Sequence, residues 1–370
     1  MKLQCYNKTK GGDYVNSSPE RNVFIDLSKG VAIFLMLWGH CIQYCGGSNT
    51  VDFFGNPVFK AIYSFHMPLF ALISGYLFFF SFSKRSLKEL CIGRGKALLQ
   101  PILFCAVFYY LIVDVLLGIR AGDLSLFFTN GWTQHISSLW FLWSILAASV
   151  SVAIIYKKCS SLIGQGFLLI LFMSFVSALP NGTMNQFIFP FFVMGFLYAK
   201  YKKRIPRHLS IIKYLALPLF PLMLYFYEKK HYIYTTGLFS TGYTSAEMMG
   251  INLYRWAIGL VGSIFVLIVL QWLNAYGCAK FRKNLLADGL AVLGKESLAI
   301  YALSVPLLSA YLPIVFPKVL AIFHRDDILV NNLYIYTFGV TLTVAVCYCF
   351  GLHWLIKLLK KISVYPVLFG

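Results

Sequence analysis

The stretch VFIDLSKGVAIFLMLWGHCIQYC, residues 23–45, is the first long apolar run of the chain. Charged side chains enter it only near its start, at Asp26 and Lys29, and His40 follows near its end. At 1.5 Å per residue a helix of this length crosses the hydrocarbon core of a bilayer, which is about 30 Å thick. The stretch therefore predicts a transmembrane helix.

The composition extends this interpretation to the rest of the chain. Of 370 residues, 59% are hydrophobic and only 12% are charged, and the mean hydropathy is +0.72. Such a chain cannot supply the charged surface of a water-soluble domain, so the lipid bilayer is its expected surrounding. We expect an all-α integral membrane protein, a bundle of about ten transmembrane helices. The predicted spans lie near residues 23–45, 60–82, 98–118, 138–156, 162–180, 185–199, 211–227, 249–273, 297–316 and 333–356.

The basic residues predict the orientation of this bundle. The formal charge is +19. Most Lys and Arg residues lie in short segments between the predicted spans, and the order of the spans places all of these segments on the same side of the membrane. They lie around residues 84–96, 157–158, 200–207, 280–295 and 357–361. This is the pattern of cytoplasmic loops and not the basic face of a nucleic-acid-binding domain. We therefore expect no nucleic-acid partner and both termini in the cytoplasm. Residues 1–22 form a polar N-terminal tail, 23–362 one membrane domain and 363–370 a short C-terminal tail.

The nine cysteines indicate neither a disulfide framework nor a metal site. They are odd in number, scattered, and mostly placed inside apolar runs. No pair comes with the histidines or the second cysteine pair that a zinc site needs. We interpret them as small buried hydrophobic residues and expect no metal cofactor.

Ionisable groups inside a span are costly to bury, so they are candidates for function. His40 follows Lys29 by eleven residues. In a helix this spacing places the two side chains on nearly the same face, about 16 Å apart along the axis. A snorkelling topology anchor remains the alternative for Lys29, and a histidine bonded to a neighbouring helix the alternative for His40.

The second predicted span carries another histidine at a matching depth. It runs in the opposite direction, so His66 should lie near the level of His40 and share a cavity with it. Pro68 can loosen the helix beyond His66. Ser74 and Gly75 are small residues that permit close helix approach, and helix packing is the alternative to a functional role for them.

These residues resemble a known family, acyltransferase family 3, whose polytopic membrane proteins O-acetylate bacterial surface polysaccharides and related glycans. The basic residue and the histidine separated by ten positions match Lys29 and His40, with Lys in place of the more usual Arg. Further matching segments are FHMPLF (residues 65–70), SGYL (74–77), LWFL (139–142), FPFFVMG (189–195) and GKESLAIY (294–301). The chain departs from the family where Arg94 and Lys96 replace an RxxR pattern and where Ser304 stands in place of a histidine.

The resemblance implies transfer of an acyl group, usually acetyl, from acyl-CoA to a glycan hydroxyl at the cell inner membrane. Coenzyme A carries phosphates, and cytoplasmic Lys29, Arg85, Arg94 and Lys96 are the residues we expect to bind them. A sugar hydroxyl holds its proton tightly, and a histidine is the usual base that removes it. His40 is the candidate base.

Other polar residues receive supporting roles, with alternatives. His66 either orients His40, stabilises the oxyanion or binds the acceptor. Asp26 is expected to neutralise or hold Lys29. For Arg255 a structural ion pair competes with acceptor or oxyanion binding, and for Trp140 an interfacial aromatic belt competes with stacking on a sugar. Glu296 is interpreted as part of a solvated face, and Asp114 and His353 receive no role.

A transporter or flippase is the rival function from another class, because buried His and Arg in a helical bundle also describe a substrate pathway. Within the enzyme class, the sequence leaves open a succinyl donor and an amine, peptide or lipid acceptor.

Overall fold

The computed structural model describes residues 22–46, 52–111, 136–176, 181–280, 285–322 and 332–369, and no β-strand occurs in these ranges. Their longer helices are α1 (Val23–Tyr44), α2 (Pro57–Phe82), α3 (Leu87–Tyr109), α4 (Trp140–Lys158), α5 (Leu162–Phe175), α6 (Gly182–Tyr201), α7 (Ala216–Tyr225), α8 (Ser245–Lys280), α9 (Leu285–Lys295), α10 (Ser297–Ile322) and α11 (Leu342–Lys361), followed by the short α12 (Tyr365–Phe369). Residues 1–21 of the predicted N-terminal tail, and Asp114, lie outside the described residues.

Six segments within the described ranges are long and apolar enough to cross a membrane: Val23–Tyr44, Pro57–Phe82, Leu87–Tyr109, Trp140–Lys158, Ser245–Ala275 and Ile335–Lys361. The bent pair formed by α9 and the first half of α10 would make a seventh span. The predicted all-helical, multi-pass class is therefore confirmed. The finer prediction of ten spans with cytoplasmic termini stays a prediction.

Polar caps decide where the first three helices begin. Asn22 accepts the backbone N–H groups of Phe24 and Ile25 at the start of α1, and Asn56 caps α2, whose first residue is a proline. At α3, Ser86 and Glu89 exchange hydrogen bonds with each other's backbone in a capping box. Such reciprocal bonds satisfy amide groups that the first helical turn leaves free.

The capping box corrects the predicted start of the third span. We expected that span to begin near residue 98, which left Arg94 and Lys96 in a loop. The helix instead begins at Leu87, so both residues lie within α3. A hydropathy window misses residues 87–97 because charged residues and glycines interrupt the apolar ones, whereas the Ser-x-x-Glu spacing marks the cap directly.

The α1 and α2 helices occupy the middle of the bundle. The α1 helix packs against α2, α9, α10 and α11, and α2 packs against α6 and α8. Where α2 crosses α6, Gly75 and Gly195 lie against the partner backbone, and a Cβ atom on either would overlap a carbonyl oxygen of the other helix. This contact is the close helix approach that we weighed for Gly75, and it fixes α2 against α6.

Residues 226–244 connect α7 to α8 and are called here the cap segment. The segment contains a 3-10 turn at Lys229–His231 and a single helical turn at Ile233–Thr236. Gly237 ends that turn with φ of 62°, a left-handed conformation that a side chain would disfavour. The cap segment folds back over the ends of α1 and α2 that carry His40 and His66.

Candidate active site

A cavity of about 390 Å³ separates α1, α2 and α8 from the cap segment. Both histidines singled out from the sequence line it, so α1 and α2 bring His40 and His66 to one chamber. We call it the histidine chamber. The other lining residues are Met36, Gln43, Tyr44, Tyr63, Ser64, Met67, Pro68, Ser138, Trp140, Met184, Phe187, Tyr227, His231, Tyr232, Ile233, Tyr234, Arg255, Ile258, Tyr301, Val305 and Ser309.

The hydrogen bonds of His40 determine which of its ring nitrogens is free. The Tyr63 hydroxyl donates to Gln43 Oε1 at 3.0 Å and lies 3.1 Å from His40 Nδ1. Because the single phenolic hydrogen is used on Gln43, the bond to His40 runs from Nδ1–H to the Tyr63 oxygen. Nε2 of a neutral His40 then carries a lone pair, as a general base requires.

His66 is held in the same tautomer by the helix backbone. Its Nδ1 lies 2.8 Å from the carbonyl oxygen of Ile62, one turn earlier in α2. A carbonyl oxygen can only accept, so Nδ1 is the donor and Nε2 of neutral His66 has no hydrogen. A neutral His66 can therefore accept a hydrogen bond from a ligand but cannot donate one to an oxyanion from Nε2.

A second cavity of about 210 Å³ lies nearer the first turns of α1. Its wall includes Lys29, Arg94 and Ser74, three residues singled out from the sequence. The Arg94 guanidinium lies 4.9 Å from the centre of the Phe78 ring, which holds it against α2. We call this space the basic pocket.

One tyrosine belongs to both spaces. Tyr301 in α10 lines the histidine chamber and the basic pocket, and its hydroxyl accepts the backbone N–H of Phe141 at 3.3 Å. The two spaces are therefore neighbours that meet at the Tyr301 ring. Lys29 lines the basic pocket and His40 lines the histidine chamber, and the two residues lie about 16 Å apart along the unbroken α1 helix.

Comparison with known proteins identifies the fold family. A family model described as an acyltransferase domain, that of acyltransferase family 3, matches residues 22–352. The chain belongs to this family.

Two curated relatives of this acyltransferase-family chain carry the same name, nodulation protein NolL. The protein from Sinorhizobium fredii is 32% identical over 188 residues, and that from Mesorhizobium japonicum is 29% identical over 184 residues. The matched region covers 49% of this chain in both cases, and 49% and 48% of the two relatives. The chain thus spans about half the length of the curated relatives it matches. No solved structure matches it.

The remaining members of the predicted coenzyme site do not gather at the basic pocket. Arg85 and Lys96 are exposed and absent from its lining. Lys96 is two residues from Arg94, which is about 200° around a helix, so the two side chains leave α3 on nearly opposite faces. Asp26 is buried in α1, one turn before Lys29. The structure thus brings Lys29 and Arg94 together at the basic pocket, and Arg85 and Lys96 lie outside its lining.

The contacts of Arg255 match neither of the roles expected for it, a structural ion pair or the binding of an acceptor or oxyanion. Arg255 is 2% exposed, and its guanidinium donates to the carbonyl oxygens of His231, Gly237, Lys230 and Tyr232, and to the side chains of Asn252 and Thr236. These partners are neither a carboxylate nor an open ligand site. Because its N–H groups are committed to the cap segment, Arg255 fixes that segment over the histidine chamber.

Glu296 was interpreted as part of a solvated face, and this interpretation is wrong. The residue is 6% exposed and lies at the break between α9 and α10. Its carboxylate accepts hydrogen bonds from His353 Nδ1 at 2.9 Å and from Lys360 Nζ at 2.6 Å. Both partners come from α11, so this cluster ties α11 to the break. The pairing also gives His353 a structural role. Neighbouring Ser297 lines the basic pocket.

Several chamber residues were missed by the sequence analysis. Gln43 follows His40 by three residues and Tyr63 precedes His66 by three, spacings that place each pair on one helix face. Those spacings were available in the sequence as a signal. The cap segment, by contrast, lies almost wholly between the predicted spans 211–227 and 249–273, and no local pattern indicates that it folds over a cavity.

His231 is one of these cap segment residues. Its Nδ1 accepts the backbone N–H of Glu228 at 2.8 Å, which leaves the hydrogen on Nε2. Burial, and then the charge of Lys230, lower the pKa of His231 to about 4. His231 is therefore neutral near pH 7 and adds no charge to the chamber.

Proposed function

We propose that this protein is a membrane-bound O-acyltransferase that moves an acyl group, acetyl in the simplest case, from acyl-CoA to a hydroxyl of a cell-surface glycan. The observation that carries the proposal is the geometry of His40, whose Nδ1 bonds to Tyr63 and whose Nε2 is left as a base in a chamber beside the basic pocket. Membership of an acyltransferase family supports the same class of reaction.

The donor would enter through the basic pocket. Lys29 and Arg94 offer an ammonium and a guanidinium to the phosphates of coenzyme A. The pantetheine arm is long and thin and would pass the Tyr301 ring, bringing the thioester into the histidine chamber. Ser74 and Ser297 add hydroxyl groups to the walls of the pocket. Arg85 and Lys96, on exposed surface, would contribute only to the electrostatic attraction of the donor.

In the transfer step, His40 Nε2 removes the proton of the acceptor hydroxyl as its oxygen attacks the carbonyl carbon of the thioester. The tetrahedral intermediate then breaks its C–S bond. The leaving thiolate takes the proton from the His40 imidazolium, so the products are the ester and free coenzyme A. His66 Nε2, with its lone pair, suits a hydrogen bond from another hydroxyl of the acceptor.

The proposal includes a location and a polarity. Ten spans with cytoplasmic termini would put the basic pocket at the cytoplasmic face of the inner membrane, where acyl-CoA is made, and the cap segment at the opposite face. The lipid bilayer, acyl-CoA and the glycan are the partners that this arrangement needs.

Release of free thiol tests the reaction. Purified protein in detergent, given acetyl-CoA and a panel of p-nitrophenyl glycosides, should release coenzyme A and form an acetylated glycoside detectable by mass spectrometry. His40→Gln should lower this rate by at least about 100-fold, the scale of general-base catalysis. A transporter would release no thiol.

The matched control is His353→Gln, a histidine that contacts Glu296 and lies off the chamber lining. It should keep most of the activity. Full activity in His40→Gln, with correctly folded protein, would remove His40 from the base role. Absence of thiol release from the wild-type protein would overturn the acyltransferase proposal itself.

A further inference from the structure

Two lysines near the ends of α4 and α6 lie on neighbouring aromatic rings. Lys157 Nζ lies 4.6 Å from the centre of the Phe82 ring, and Lys200 Nζ lies 4.4 Å from that of Tyr156. Both rings contact the buried Phe196 ring, at 5.2 Å and 5.0 Å between centres. The two ammonium groups therefore share one aromatic cluster, at the place where α2, α4 and α6 end. We call this cluster the paired-lysine site.

Neither ammonium group of the paired-lysine site has a carboxylate partner among the described residues. The ion pairs in that part of the chain are made by Lys230, His353 and Lys360. A ring face holds a cation in place but does not neutralise its charge. Both positive charges therefore remain available to an anionic ligand.

The α2 helix places this site beyond the basic pocket, on the side away from the histidine chamber. His66 lines the chamber and Ser74 lines the basic pocket. At 1.5 Å per residue, Ser74 lies about 12 Å and Phe82 about 24 Å from His66 along the helix axis. Arg94 lies on the Phe78 ring, whose centre is 6.3 Å from that of Phe82. The order along α2 is therefore the chamber, the basic pocket with its arginine, and the paired-lysine site.

The parts of an acyl-CoA follow one another in the same order. The thioester ends the pantetheine arm, the pyrophosphate joins the other end of that arm, and the ribose with its 3′-phosphate lies beyond the pyrophosphate. At about 210 Å³ the basic pocket is smaller than the roughly 300–1,000 Å³ of sites that enclose a drug-sized ligand. It has room for the pyrophosphate but not for the whole nucleotide. The ribose and its phosphate would therefore extend past Arg94 toward the end of α2.

We propose that the paired-lysine site binds the 3′-phosphate of the acyl-CoA donor. The assignment rests on the proposed acyltransferase function and concerns the part of the donor that the basic pocket leaves unbound. A phosphate between the two ammonium groups forms charge-assisted hydrogen bonds with both. Because the rings fix Lys157 and Lys200 before the donor arrives, less side-chain freedom is lost on binding. The site thus selects donors that carry this phosphate.

The test compares acetyl-CoA with 3′-dephospho-acetyl-CoA, two donors that differ only in this phosphate. In Lys157→Gln/Lys200→Gln protein, the KM for acetyl-CoA measured by thiol release should rise about fivefold, the scale of a partly exposed charge pair. The KM for 3′-dephospho-acetyl-CoA should stay at its wild-type value, because this donor has no phosphate to lose from the site. The wild-type protein should prefer acetyl-CoA by a similar factor.

Two further variants are the controls. Lys157→Arg/Lys200→Arg keeps both charges and should keep the wild-type KM for acetyl-CoA. Lys202→Gln removes a cation of the same kind, whose Nζ lies 4.9 Å from the centre of the Tyr76 ring and donates to the Tyr76 hydroxyl at 2.8 Å. Tyr76 is six residues before Phe82, which is about 120° away around α2. Lys202→Gln should therefore change the KM of neither donor.

The possible results separate the two proposals. An unchanged KM for acetyl-CoA in folded Lys157→Gln/Lys200→Gln protein overturns the phosphate assignment, as it would if the lysines pair with lipid phosphates, and leaves the acyltransferase proposal standing. An equal rise in KM for both donors also overturns it, in favour of a general attraction of anions. A wild-type protein that releases no thiol from acetyl-CoA overturns both proposals.

Discussion

A general base needs one ring nitrogen free and the other held, and His40 meets both conditions through one neighbour on its own helix and one on α2. Gln43 lies three residues after it in α1, and Tyr63 lies on α2. The bonds run from His40 Nδ1–H to Tyr63 and from Tyr63 to Gln43. In the proposed mechanism, these hydrogen bonds would play the part that a buried carboxylate plays in hydrolytic triads, but with uncharged groups, which cost less to bury in a membrane.

Tyr63→Phe tests this positioning role. Without the Tyr63 oxygen, the His40 Nδ1–H bond is lost and the ring can adopt the tautomer that blocks Nε2. We expect kcat to fall roughly 10- to 100-fold, a part of the whole contribution of a general base, while the KM for acetyl-CoA stays the same. Steady-state thiol release at saturating glycoside measures both values.

A merely structural Tyr63 would give a different result. In that case Tyr63→Phe would lower the melting temperature through the loss of its buried hydrogen bond, and the kcat of the folded fraction would equal that of the wild-type protein. Normal kcat in well-folded Tyr63→Phe protein would show that His40 needs no partner on Nδ1.

Residue identity alone indicated His40, His66 and Lys29, because charged or titratable groups are rare in apolar spans. It did not indicate the role of Arg255. A buried arginine in a span suggests an ion pair or a ligand, whereas its actual partners are backbone carbonyl oxygens of the cap segment. Every residue has a carbonyl group, so no sequence pattern identifies such partners.

At the scale of the helices, hydropathy located the spans better than it located their ends. The predicted spans 23–45 and 60–82 correspond to Val23–Tyr44 and Pro57–Phe82, because Asn22 and Asn56 cap these helices just before their apolar runs. The α3 helix begins eleven residues earlier than expected, where Ser86 and Glu89 form its cap. The energy of a cap comes from backbone amide groups, which a hydropathy scale does not count.

The contact between α2 and α6 depends on the absence of a side chain at Gly75 and Gly195. We expect Gly75→Ala to destabilise the protein by about 1–3 kcal/mol or more, because its Cβ would overlap the Phe192 carbonyl oxygen and force the helices apart. The melting temperature in detergent, followed by tryptophan fluorescence, measures the effect.

Gly250→Ala in α8 is the matched control, since no atom lies within 4 Å of a Cβ at that position. It should be neutral or slightly stabilising, by up to roughly 1 kcal/mol, because alanine favours a helix over glycine. If Gly75→Ala behaves like Gly250→Ala, the helices separate without cost and close packing does not fix α2 against α6.

At the scale of the whole molecule, the two cavities give the bundle a direction. The basic pocket contains Lys29 and Arg94, whereas the described lining of the histidine chamber contains no lysine and a saturated arginine. A charged donor would therefore approach from the Lys29 end of α1 and not from the His40 end. The side on which each end lies follows from the basic loops of the sequence and not from the helix packing, because packing within a bundle is the same in either orientation.

Sealed membrane vesicles of known orientation test that direction. Acetyl-CoA carries several charges and does not cross a lipid bilayer, so it reaches only the face to which it is added. With the basic pocket on the cytoplasmic side, inverted vesicles from expressing cells should release thiol from added acetyl-CoA, and right-side-out vesicles should do so only after detergent opens them. Vesicles that contain His40→Gln protein supply the background rate. Equal thiol release from intact right-side-out vesicles would reverse the orientation, with the donor entering from the outer face.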